Sequence, residues 1–181
     1  MRTLLATKLL VLSGAASVLA ERPPAPAPGP AQPMPFSHRV HVAENRIGCA
    51  ACHPYADRSP VAGLPSLARC RGCHRFVKQD PDDPRRTEAM KPLVAWLRER
   101  PATPVAWARV HRLPDHVRFA HAPHVRAALA CRECHGEVER MDDARRVAPL
   151  DMAWCLGCHR RRRSERPAEL ARLTDCGTCH R

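Results

Sequence analysis

Every cysteine in this chain belongs to one repeated pentapeptide, and that repeat limits what the chain can fold into more than any other property. The ten cysteines form five pairs, each followed at once by histidine: Cys49-Ala-Ala-Cys52-His53, Cys70-Arg-Gly-Cys73-His74, Cys131-Arg-Glu-Cys134-His135, Cys155-Leu-Gly-Cys158-His159 and Cys176-Gly-Thr-Cys179-His180. C-x-x-C-H is the attachment signature of c-type haem. Two thioethers, one from each cysteine, tether the porphyrin, and the adjacent histidine is thereby carried under the iron as proximal ligand. Other uses of cysteine pairs leave the histidines unexplained. Zinc sites take four ligands and have no need for a histidine directly after the second cysteine, and five pairs do not divide into fours. A disulfide framework suits a small exported protein, but it too has no role for the histidines. The expectation is five covalent haems c with His53, His74, His135, His159 and His180 as proximal ligands.

Six histidines are left for the opposite faces of the irons: His38, His41, His111, His116, His121 and His124. That is enough for every iron to be six-coordinate and low-spin, a state that moves electrons and leaves no face for substrate. Four of them form two copies of one pattern, F-x-H-x-x-H, at Phe36-Ser-His38-Arg-Val-His41 and Phe119-Ala-His121-Ala-Pro-His124. Each copy lies shortly before a C-x-x-C-H. Histidines three apart on a helical turn share a face but diverge, so one pair can serve two different irons. One more ligand is required, and residue chemistry alone does not choose between His111 and His116. Met141 and Met152 are reserve candidates, since a His/Met haem is a familiar alternative of higher potential, although methionine is more often core filler.

A chain with this many haems also has little else to build a core from. Three Trp, one Tyr and three Phe stand against 19 Pro in 181 residues, so aliphatic and aromatic packing alone would be meagre. With roughly 32 mature residues to each macrocycle, the porphyrins supply the hydrophobic core and the thioethers act as covalent staples. Strand signals are almost absent. The expected fold is mainly α with extensive loops and little or no sheet, a haem-packed core in which neighbouring macrocycles are forced close together. The same count tempers the charge. Lys and Arg outnumber Asp and Glu 30 to 18, a formal +12 that would suggest an anionic partner. Each haem with its two propionates carries a net negative charge, which would lower +12 to roughly +7 oxidised or +2 reduced, and the run Arg160 to Arg163 is read as propionate partners or a solvated face, with nucleic acid excluded as a partner.

Along the chain, residues 1–20 read as a signal peptide: a basic start, an apolar stretch from Leu9 to Ala20 and small residues at its end, with an uncleaved anchor as the other possibility. Export places the protein in the periplasm, where haem attachment occurs. Residues 21–35 are a Pro/Ala linker, extended and poorly packed. A dihaem module follows at 36–78, then a connecting segment at 79–106 with one helix from Pro92, whose Leu93, Trp96 and Leu97 make an apolar stripe. A trihaem module occupies 107–181, with a second short helix from Pro167 that turns Leu170 and Leu173 inward.

The phrases PFSHRVH, CAACH, AGLPSLARCRGCH, RVHRLPDHVRFAHAPHV, CRECHGEVERMD and APLDMAWCLGCHR resemble the class III cytochrome c family. More closely, they resemble the pentahaem cytochrome c subunit of alternative complex III, a bacterial quinol oxidoreductase. The resemblance runs from about Pro35 to Arg181. It implies an electron-transfer subunit rather than an enzyme. The implied partners are redox proteins: an iron–sulfur, molybdopterin-oxidoreductase-like subunit and quinol-oxidising membrane subunits. It also implies the distal-ligand role for His111, with His116 in reserve, because the similar proteins keep the former and usually have an aromatic residue at the latter. The family's complex-bound members carry a firm N-terminal membrane helix, whereas the stretch here is short and broken by Lys8. The alternative function is a soluble periplasmic electron shuttle to a terminal reductase or extracellular chain.

Overall fold

The helices are mostly short, from four to twelve residues, with one of sixteen, and several of them begin at an aspartate or a proline. The computed structural model describes residues 27–77, 82–99, 104–163 and 165–180. The 1–20 signal and the first part of the 21–35 linker lie outside the described residues. In chain order come a π-helical turn at Arg39–Glu44, a 3-10 turn at Cys49–Ala51, α1 (Leu67–His74), α2 (Pro84–Glu99), α3 (His121–Arg126), α4 (Arg132–His135), a 3-10 turn at Val138–Arg140, α5 (Met152–Arg163), α6 (Pro167–Thr174) and α7 (Cys176–Cys179). Among the described residues there is no sheet, only an isolated antiparallel bridge between Val117 and His180. The fold is the mainly α, loop-rich architecture expected of a multihaem cytochrome.

Three aspartates explain three of the helix starts. The Asp83 carboxylate accepts from the backbone N–H of Arg85 at 3.0 Å and of Arg86 at 3.3 Å, with Pro84 as the first helical residue. Asp151 accepts from Trp154 N at 2.7 Å before α5, and Asp175 from Gly177 N at 2.9 Å before α7. The helix in the connecting segment therefore starts at Pro84 and not at Pro92, which sits inside it. Proline is tolerated there because it removes only one intrahelical donor, while the Asp83 cap supplies the start that Pro92 was expected to make. α6 begins at Pro167 as expected, with Leu170 and Leu173 half-buried.

Side-chain packing is thin. The buried apolar residues among those described are Met34, Leu67, Ala122, Met141 and Ala148, and no side chain falls below 2 % exposure. Phe76, Val61, Leu64, Tyr55 and Phe119 are exposed. Such apolar surface finds its cover in a large prosthetic group more readily than in this chain's own residues.

The segments that carry the first two and the last three C-x-x-C-H motifs hold each other reciprocally. The Arg39 N–H donates to Met141 O at 3.0 Å, and Asp142 accepts from the Ser37 hydroxyl at 2.6 Å and from Arg39 Nε at 3.2 Å. In return, His121 N donates to Pro60 O at 3.2 Å and Ala122 N to Ser59 O at 3.3 Å. Trp107 Nε1 donates to Pro65 O at 3.1 Å. Each F-x-H-x-x-H turn is thus seated on the other segment. The described end of the proline-rich stretch is docked as well: Met34 is buried, and the Gln32 amide donates to Ala108 O at 3.1 Å while accepting from Ala108 N at 3.0 Å. One side-chain amide thus pairs the backbone N–H and C=O of a single residue and fixes this end of the proline-rich stretch to the second segment.

Candidate haem-attachment sites

All five C-x-x-C-H motifs adopt a helical turn. The histidine N–H donates to the carbonyl of the first cysteine in three of them: His53 to Cys49 at 2.9 Å, His135 to Cys131 at 3.0 Å and His180 to Cys176 at 2.9 Å. The other two lie wholly within α1 and α5. On such a turn the residues at i, i+3 and i+4 share one face, which brings both sulfurs and the imidazole to one side. The ten thiols are free and exposed or half-buried, as thioether formation requires.

Opposite the motif histidines stand the spare ones. An iron bound by two imidazole nitrogens at about 2 Å each sets the ring centres about 6 Å apart. His41 and His74 have ring centres 6.1 Å apart, His121 and His135 6.2 Å, and His124 and His159 6.2 Å. His116 and His180 are 5.6 Å apart with planes inclined by 21°. His38 is half-buried beside His53, and desolvation followed by that neighbour lowers its pKa. The two histidines of each F-x-H-x-x-H thus meet two different motifs. His111 stands apart from this pattern, its ring centre 4.4 Å from that of His135 at 80°. Met141 is buried in the core and Met152 is 67 % exposed.

Main-chain carbonyls orient many of these rings. Nδ1–H of His53 donates to Gly63 O at 2.7 Å, His159 to Leu173 O at 3.0 Å, His121 to Pro60 O at 2.9 Å, His41 to Ser37 O at 2.8 Å and His124 to Ala120 O at 2.8 Å. With Nδ1 so engaged the free lone pair lies on Nε2, the nitrogen that a metal would take. Two phenylalanines prop the spare histidines. Phe36 lies 5.0 Å edge-on to His38 and 4.4 Å from His41, and Phe119 lies 4.9 Å edge-on to His121 and 4.7 Å from His124. Neither the carbonyl acceptors nor this propping was anticipated, although the phenylalanine in each copy of the pattern was a usable signal for the second.

Burial also sets the protonation state. His135 is pushed down to about 4, by desolvation first and then by His111, His121 and His53 nearby. Desolvation likewise lowers His74 and His111. Neutral imidazole is the form that binds iron, so burial and ligation pull the same way. The buried ring nitrogens His38 Nδ1, His74 Nδ1 and His111 Nε2 lack a hydrogen-bond partner. The paired donors, their neutral state and the thin core fit covalently held haem.

The motifs also approach one another. Burial raises the Cys52 and Cys70 thiols, with Cys73 beside the first and Cys52 beside the second. Burial and then the Cys131 thiol raise Cys49. Cys134 is raised by burial with Cys158 and Cys155 close by, and Cys155 by burial with Cys179 close by. In space the attachment motifs therefore run second, first, third, fourth, fifth. The arginine run is exposed at Arg160, Arg161 and Arg162 on the end of α5, and Arg162 pairs with Glu133.

Residues 117–181 match the family of cytochrome c7 and related cytochrome c. A 109-residue stretch is 36 % identical to a protein of Nitratidesulfovibrio vulgaris strain Hildenborough, "Menaquinone reductase, multiheme cytochrome c subunit". That match covers 60 % of this chain and 48 % of the relative, so the chain spans about half the length of the curated relative it matches. These likenesses, over the segments they cover, are those of a multihaem cytochrome c, a protein that carries haem c covalently and transfers electrons.

Proposed function

We propose that the chain carries five haems, each iron held between two histidines, and conducts electrons in the periplasm as a subunit of a membrane quinone-linked oxidoreductase of the alternative complex III type. The observation that carries this reading is the repeated opposition of a spare histidine to a motif histidine at the spacing one iron requires: His41 to His74, His121 to His135 and His124 to His159, at 6.1 to 6.2 Å.

Haem, when bound, supplies reversible one-electron exchange. The chain's residues do the rest. Ten cysteines set position and spacing, so electron transfer distances are fixed covalently and not by docking. The opposed imidazoles would hold each iron on both faces and leave no face for substrate, and their carbonyl partners at Gly63, Leu173, Pro60, Ser37 and Ala120 hold the rings in place. The succession of motifs from Cys70 through Cys49, Cys131 and Cys155 to Cys179 makes a path with two ends. Its ends, at the Cys70 and Cys176 motifs, are the places for a donor and an acceptor. A quinone-linked complex is favoured because the N. vulgaris relative is named as the cytochrome subunit of a menaquinone reductase.

The deciding experiment is to isolate the protein from membrane and soluble fractions of its own cells, weigh it and identify what accompanies it. The mass of the chain plus five haems, recovered from membranes together with an iron–sulfur or quinone-reactive subunit, is the expected result. Recovery without partners from the soluble fraction would make it a diffusing shuttle, and a mass with fewer haems would remove the five-site path.

A further inference from the structure

We infer that His116, and not His111, is the chain's ligand on the far side of the iron at the fifth attachment site, opposite His180. The assignment rests on the five-haem reading and concerns the one iron whose second ligand the residue pattern left open.

Main-chain pairing places His116 there. Val117, the next residue, forms the isolated antiparallel bridge with His180, and Arg118 N donates to Cys179 O at 2.7 Å. Residues 117 and 118 therefore run antiparallel alongside the last two residues of the fifth motif, and the position of His116 follows from that register before any side chain is considered. Its ring then meets the His180 ring at 5.6 Å with planes inclined by 21°, within half an ångström or so of the 6.1 Å and 6.2 Å of the other opposed pairs.

His111 has neither the place nor the spacing. Its ring centre is 4.4 Å from that of His135, too close for one iron to bind both, and the planes stand at 80°. His135 already faces His121 at 6.2 Å with planes only 6° apart. The remaining motif histidines, His53, His74 and His159, have His38, His41 and His124 beside them. With six spare histidines and five irons, His111 is the one left over. Its ring packs edge-on against His135, where it acts as a positioning residue.

The test uses the full haem-loaded chain and reads spin state. Wild-type protein is first shown to hold five low-spin haems; a wild type lacking one would count against the five-haem reading itself. In His116→Phe, which keeps a ring beside the bridge, one haem in five is expected to become high-spin in the oxidised EPR and optical spectra and, when reduced, to bind carbon monoxide. His111→Phe is expected to keep all five low-spin. His116→Met covers the case in which the phenylalanine variant does not mature: it should show one haem per chain with the sulfur-to-iron charge-transfer band of His/Met ligation. The assignment is overturned if the high-spin haem arises in His111→Phe instead, if His116→Phe keeps five low-spin haems, or if mature His116→Met lacks the new band.

Discussion

Which nitrogen of a histidine faces a metal depends on what its other nitrogen bonds, and in this chain the partner is repeatedly a main-chain carbonyl. Gly63 is the clearest case. It accepts the Nδ1–H of His53 at 2.7 Å from a residue at φ +84°, and a Cβ there would meet Tyr55 Cδ2 at 2.8 Å. Gly63→Ala should displace that carbonyl and weaken a hydrogen bond that makes His53 a stronger donor to iron. If the bond favours the oxidised iron by about 1 kcal/mol, its loss corresponds to an upward shift on the order of 40 mV in the potential of one haem. A redox titration that overlays wild type would count against this role. The cysteines and their adjacent histidines are readable directly because covalent attachment demands fixed residue types at fixed spacing. Carbonyl acceptors leave no such trace, since every residue has one.

At the level of elements, the helices are short and their caps matter in proportion. Asp151 opens α5, which carries the fourth motif, by accepting from Trp154 N. Asp151→Ala should cost about 1 kcal/mol in denaturant unfolding of the holoprotein, and an unchanged midpoint would mean that the thioethers hold the turn unaided. The seat of the π-helical turn depends on Asp142. The Ser37 hydroxyl and then the Arg39 guanidinium hold its carboxyl below the usual value of 3.8. A carboxylate depressed in the folded state adds stability above its unfolded pKa and loses it as pH falls through the folded one. Asp142→Asn should therefore lower the melting temperature slightly at pH 7, the pair being exposed, and make no difference well below pH 3.8. An equal deficit at both pH values would assign the effect to the neutral hydrogen bonds. The helix start at Pro84 was legible in Asp83-Pro84 but was masked by the stronger apolar stripe after Pro92. The docking of Gln32 on Ala108 was not legible, because a glutamine among prolines predicts no particular partner.

For the molecule as a whole, stability and electron transfer have the same physical source. With so few side chains buried among the described residues, the apolar area that drives folding would have to come largely from covalently held haem. Chain produced without haem attachment should lack cooperative unfolding and be cut rapidly by protease, whereas the loaded protein should resist; a protease-resistant apoprotein would show that the polypeptide core suffices. Ligation by two histidines predicts mostly negative potentials, spread by the closeness of successive motifs. Five indistinguishable high-potential haems in a potentiometric titration would contradict both the ligand set and the proximity of Cys49 to Cys131 and of Cys155 to Cys179.

Chemistry that depends on residue type and local spacing was determined by the sequence alone: the attachment motifs, the two F-x-H-x-x-H turns and the loop-rich helical architecture all follow from contacts within a turn or two. What depends on segments far apart in the chain was decided by tertiary structure. His41 reaches past the first motif to His74, and His121 is seated by Pro60. The first motif lies between the second and the third, because Cys49 meets Cys131 across 81 intervening positions. His116 faces His180 through a bridge formed by Val117 with a residue 63 places later. Such pairings depend on which surfaces close around the macrocycles, and periodicity along the chain carries no record of them.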